Sequence, residues 1–161
     1  MSYGGQSGTD FATARGREWP TVRQFNLFLE NRVGALLEVL RLFETTDIHI
    51  VSLTVVDLAD CAITRIVVND PERAEEIFRL AQLHVTESEL LIVQLPEGPQ
   101  PVLQICKALL AAEVNLDYVY PLLVGPQGRA ALALHVDDQE MAVLTLGRQG
   151  FTIFTEKDLN L

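Results

Sequence analysis

Leu27-Phe28-Leu29-Glu30-Asn31-Arg32-Val33-Gly34-Ala35-Leu36 (LFLENRVGAL, residues 27–36) decides how this chain is read. Phe25, Leu27 and Leu29 alternate with Gln24 and Asn26, the period of two expected of a strand with one buried face. The run stops at a polar, charged turn. From Gly34 to Thr46 the apolar residues Leu36, Leu37, Leu40 and Phe43 recur at helical spacing. A strand, a tight turn and a helix that starts at a glycine follow one another directly. Backbone N–H groups at such a junction have no helical partner, and the helix macrodipole is positive there, so the junction attracts anions. A free amino acid carries such an anion, its α-carboxylate.

Working outward, His49 to Asp57 is rich in β-branched residues and reads as a strand. Ala59-Asp60 turns the chain, and Ala62 to Asn69 reads as the antiparallel return. Asp70-Pro71 opens a second helix, with an N-cap acid, a proline at the first helical position, and Glu72 and Glu75 in the first turns. Its apolar face is Ala74, Ile77, Phe78 and Ala81, and His84 to Glu87 reads as a short fourth strand. The order then repeats. Leu90 to Leu95 is a strand, Glu97-Gly98-Pro99-Gln100-Pro101 a turn, and Val102, Leu103, Cys106, Leu109 and Leu110 a helical stripe. Asn115 to Val124 and Arg129 to Val136 are strands around the hairpin signal Gly125-Pro126-Gln127-Gly128. Asp137-Asp138 caps a helix to about Leu146, and Phe151 to Phe154 closes the unit. Aligning His49 with Asn115 gives an offset of 66 residues (115 − 49), which places Gly34 on Gln100.

The expectation is an α+β chain of two tandem ferredoxin-like βαββαβ sandwiches, with antiparallel sheets and helices on one face. Residues 1–20 form a tail with Phe11 and Trp19 as its large anchors, 21–87 the first unit and 88–161 the second. Each half alone is marginal in size, so packing of the halves or dimerisation is expected.

Composition narrows the function. A net charge of −10 argues against nucleic acid or an anionic membrane as partner. No apolar run is long enough to span a bilayer, and no signal peptide is visible. Cys61 and Cys106 lack metal spacing and read as buried free thiols, which fits a reducing cytoplasm. His49, His84 and His135 share no ligand spacing, so no metal is expected. Asp137, Asp138 and Glu140 read as a helix cap, and Tyr118 and Tyr120 as cover for a sheet or a domain interface. No phosphate loop, nucleophile elbow or triad is present; neither catalysis nor a cofactor is expected.

This element order, with Glu30-Asn31-Arg32-Val33-Gly34-Ala35-Leu36 at the first turn, resembles the ACT domain family of amino-acid-sensing modules. Residues 22–87 carry the resemblance; residues 88–157 share element order only. The run LFLENRVGALLEVLRLF followed by IHIVSLTV is most similar to the small regulatory subunits of acetolactate synthase. Turns with proline in place of Val33 occur in the regulatory domain of phosphoglycerate dehydrogenase.

The resemblance implies a ligand amino acid at an interface between paired domains. Its contacts are Asn31, Val33, Gly34, Ala35 and Leu36 at the turn, with the start of the second strand, His49 here and Asn115 in the second half; Arg32, beside them, is either a solvated surface charge or a clamp on the ligand carboxylate. It also implies a non-catalytic, homodimeric regulator that binds a small amino acid and acts on an enzyme of amino-acid metabolism. The alternatives are a regulatory subunit of acetolactate synthase and an interaction module without ligand.

Overall fold

The computed structural model describes residues 20–160; most of the expected tail, with Phe11 and Trp19, lies outside them. Seven strands and four helices follow in the order β1 (Val22–Glu30), α1 (Ala35–Arg41), β2 (Ile50–Leu58), β3 (Cys61–Val68), α2 (Pro71–Leu80), β4 (Val85–Gln94), α3 (Pro101–Ala111), β5 (Leu116–Pro121), β6 (Ala131–Val136), α4 (Gln139–Arg148) and β7 (Ile153–Phe154). The caps read from sequence do their work. The Asp70 carboxylate accepts from the Arg73 N–H at 3.1 Å, and the Asp138 carboxylate from the Met141 N–H at 2.9 Å.

The first sheet runs β2-β3-β1-β4 and the second β5-β6-β4-β7, all antiparallel. The two orders are the same once β4 is counted as the last strand of one unit and the first of the next. Two strands, His84–Glu87 and Leu90–Leu95, were expected there; a single continuous strand replaces them, pairing β1 up to Leu90 and β6 from Leu91. Ser88-Glu89, between the two expected strands, is itself strand because Ser88 is matched by a polar group across the pair. The Asn26 amide donates to Ser88 Oγ at 2.8 Å. The position 87/88 thus falls inside β4.

Three apolar clusters form the core among the described residues. One lies between the first sheet and its helices, where Phe78 packs edge-to-face on Phe25 and Phe43 at 5.3 and 5.4 Å. Each such ring pair contributes about 0.5–1.5 kcal/mol beyond its burial. The second lies between the other sheet and α3/α4. A third joins the two sheets on the side away from the helices, built from Val22, Val51, Leu90, Ile92, Tyr120 and Phe154 among others. The far edges meet as well, because the Leu123 N–H donates to the Val51 carbonyl and Ser52 Oγ to the Pro121 carbonyl, each at 2.8 Å. The halves are therefore packed together, as their small size requires.

Both leading helices bury only part of the expected stripes, Phe43 in the first and Leu109 in the second. α1 turns Ala35 and Val39 inward, with Phe43 beyond its end, while Leu37 is 52% exposed. α3 buries Ile105, Ala108 and Leu109, leaving Val102, Leu103 and Leu110 outside. Cys61 is half-buried and Cys106 exposed, so neither is the buried thiol expected.

Candidate functional site: two bends and a sheet face

At the first bend Gly34 sits in the left-handed region, φ 86° and ψ −6°, and forms the N-cap of α1. That conformation suits glycine because an L side chain there crowds its own carbonyl. A Cβ built at Gly34 would meet nothing within 4 Å, and Val33 is fully exposed. The bend is open to solvent.

The polar side chains expected at the ligand have protein partners at the base of the bend. The Asn31 amide donates to the Asp57 carboxylate at 2.9 Å and ties the bend to the end of β2. The Arg32 guanidinium forks onto Glu38 and reaches Glu30 at 3.3 Å. The hydrogen bond from Arg32 holds the Glu38 carboxyl below its ordinary range and raises the guanidinium in turn. The Ala35 N–H at the start of α1 donates to the Arg32 carbonyl at 3.3 Å. Beneath the bend a cavity of about 340 Å³ runs between α1, the end of β1 and the exit of α2, walled by Leu29, Ala35, Val39, Leu42 and Leu83 with the Arg32–Glu38 pair beside them. Asp57 and Glu38 were not picked out from the sequence; an acid six residues past Arg32, on the first helical turn, was the one available signal.

His49 lies elsewhere. β1 and β2 both pair antiparallel to β3, so they run parallel, and the start of β2 is at the opposite end of the sheet from the bend. Within one unit the structure does not bring His49 to Asn31–Leu36. Asn115 holds the matching place before β5. Both positions make the same backbone exchange. The His49 N–H donates to the Asn69 side chain at 2.7 Å and Asn69 N–H returns to the His49 carbonyl; Asn115 does the same with Asp137 at 2.9 Å. These clamps pin the second strand to the turn before the second helix in each unit. The Asn115 side chain donates to Asp117.

At the second bend Gln100, the counterpart of Gly34, is an ordinary N-cap at φ −135°. Gly98 takes the positive φ, 125°. Gln104 folds back and donates to the Glu97 carbonyl at 3.2 Å, and its Nε2 stands 3.0 Å from where a Cβ on Gly98 would be.

Between the sheets, Gln24 Nε2 donates to Asn26 Oδ1 at 2.7 Å and to the Tyr118 hydroxyl at 2.8 Å, while the Tyr120 hydroxyl donates to Gln24 Oε1. Burial, with Tyr118 adding to it, pushes the Tyr120 phenol well up. Tyr118 and Tyr120 thus cover the interface between the units, as their spacing suggested.

The ACT domain pair family matches residues 20–160. This chain belongs to that family. Each ACT unit is one of the two sheet-and-helix sandwiches described above, and both follow the ferredoxin-like order. A solved protein from Bacteroides thetaiotaomicron is similar over 87% of this chain and 96% of its own, with 22% identity and a TM-score of 0.78. The ligand-free regulatory subunit of aspartate kinase from Thermus thermophilus is similar over 80% and 93%, with 13% identity and a TM-score of 0.54. At these identities the likeness is one of fold. No curated protein matches the sequence. No helix among the described residues of the ACT pair is long and apolar enough to cross a membrane.

Proposed function

We propose that this ACT domain pair is a non-catalytic regulatory protein that binds a small amino acid at the Gly34 bend and acts allosterically on an enzyme of amino-acid metabolism. The observation that carries the reading is the open left-handed bend: exposed backbone at residues 33–36, with space around Gly34 and an apolar cavity beside it. Asn31 and Arg32, held by Asp57 and Glu38, fix its shape. His49 or Asn115 reaches the ligand from a paired unit of a second copy, since neither lies at the bend of its own unit. Ligand then favours the quaternary arrangement in which both halves of the site meet, and couplings of about 1–3 kcal/mol suffice for regulation. An acetolactate synthase is the partner suggested by residues 27–36. The closed second bend favours a single ligand turn per chain, and an interaction module without ligand is the reading that remains if the first bend is silent.

A thermal-shift screen of the full chain against the twenty amino acids tests this. A ligand at a hundredfold excess over Kd stabilises the native state by about 2.7 kcal/mol, a rise of several degrees in Tm. Gly34→Val, which puts a branched side chain into the bend, abolishes that rise while the protein still folds. An unaltered rise in the variant removes the bend as the site; no rise with any amino acid removes the sensing role.

A further inference from the structure

The face of the first sheet turned away from its helices is only half covered by the second unit. Strand register lays out its rows. The row Thr54, Arg65, Asn26 and Thr86 crosses β2, β3, β1 and β4 at the rim of the covered part. The next row outward, Val56, Ile63 and Phe28, is apolar, and Phe28 is 47% exposed with His84 beside it at 6.2 Å. A polar row thus borders an apolar row on open sheet. Arg65 is the cation of this face. Its guanidinium lies 4.2 Å over the ring of Tyr118 from the second unit, and it has no hydrogen-bond or ion-pair partner among the described residues. The guanidinium is half-buried, in a chain of net charge −10. The place over the Tyr118 ring is a cation–π contact, and the N–H groups of the fork, without a partner among the described residues, suit bidentate binding of a carboxylate.

We propose that this face holds a second site, separate from the Gly34 bend, for a small monocarboxylate with an apolar tail. The carboxylate lies against Arg65, and the tail lies on Ile63 and Phe28. Because Arg65 belongs to one unit and Tyr118 to the other, an occupant braces the contact between them. An amino acid and its 2-oxo acid share this chemistry.

The test is calorimetry on the full chain with L-leucine, 4-methyl-2-oxopentanoate, and leucinamide, which lacks the carboxylate. At least one acid is expected to bind and leucinamide at least tenfold more weakly; which acid binds identifies the source. Arg65→Met, which keeps the stem and removes the fork, weakens the bound acid roughly tenfold to a hundredfold, whereas Gly34→Val leaves this affinity unchanged. Ile63→Thr, which keeps a β-branched residue in β3 and stands outside the lining of the bend cavity, weakens it too and serves if Arg65→Met does not fold. Failure of both acids to bind, equal binding of leucinamide, or full affinity in Arg65→Met or Ile63→Thr overturns the proposal. So does sedimentation showing that these variants only dissociate a dimer, which would assign the face to a second copy. A leucine signal lost in Gly34→Val but kept in Arg65→Met supports the bend and overturns this site.

Discussion

The two first bends of this ACT pair occupy equivalent places and solve the same problem differently. At the first, Gly34 takes the left-handed conformation itself and leaves space around it. At the second, Gly98 takes the positive φ two residues earlier, Pro101 starts the helix, and Gln104 fills the gap. The scaffold around them is conserved in detail: the strand orders agree, the His49 and Asn115 clamps agree, and β2 and β5 carry irregularities at Ile50/Ser52 and Leu116/Tyr118, 66 residues apart (116 − 50). A helix can therefore start without the glycine. What the glycine adds is an accessible backbone, and that is a functional property.

The comparison holds only if the halves stand or fall together, and Gly125 offers the largest lever on that. A Cβ at Gly125 would lie 1.5 Å from the Arg129 carbonyl oxygen, a backbone atom that cannot swing aside. Gly125→Ala should cost about 3 kcal/mol, the upper end for forced overpacking. The damage sits in the second unit, but β4 and the cluster between the sheets belong to both. One cooperative transition at lower temperature is expected by calorimetry, with tryptophan-independent probes of both units coinciding. Two separated transitions would mean that each bend belongs to an autonomous domain.

The same contrast explains what could be read from the sequence. The four helices in their order, the caps at Asp70 and Asp138 and the Gly34 start are local signals, and each is realised. The buried faces of α1 and α3 were not readable, because both helices carry apolar residues on two sides and periodicity cannot rank them. In α1, Leu36, Leu37 and Leu40 compete with Ala35 and Val39, and the smaller residues take the places where the helix approaches the sheet, while Phe43 of the expected stripe is buried. The sequence divides β4 into two strands because Ser88-Glu89 looks like a linker until the Asn26 amide is found on Ser88. Asn31 and Arg32 were picked out as ligand contacts; Asp57, 26 residues beyond Asn31, is joined to it by folding alone. Such long-range pairing leaves no trace in a single sequence.

A smaller effect comes from opening the second bend. Gln104→Ala removes the hydrogen bond to the Glu97 carbonyl and should cost about 1 kcal/mol in chemical denaturation. Hydrogen exchange at residues 97–100 should quicken, while the Gly34 bend keeps its rate. If the variant gained amino-acid binding, the difference between the bends would reduce to one plugging side chain. The positive φ at Gly98 instead of at the N-cap argues that it will not.

The smallest effect is electrostatic and belongs to the first bend. Arg32 and Glu38 are both exposed, so their pair should leave the melting temperature nearly unmoved. Its trace is in titration. The hydrogen bond from Arg32 depresses the Glu38 carboxyl, so whatever the pair contributes is present above the ordinary carboxylate pKa and is lost as pH falls through the depressed one. Carboxyl NMR should find Glu38 below its ordinary value of 4.5 in the wild type and back near it in Arg32→Met. An amino acid whose carboxylate takes Arg32 away from Glu38 should produce the same upward movement without any mutation. Ligand that leaves Glu38 unmoved contacts the backbone of the bend alone, and Arg32 is then a strut for the open glycine turn.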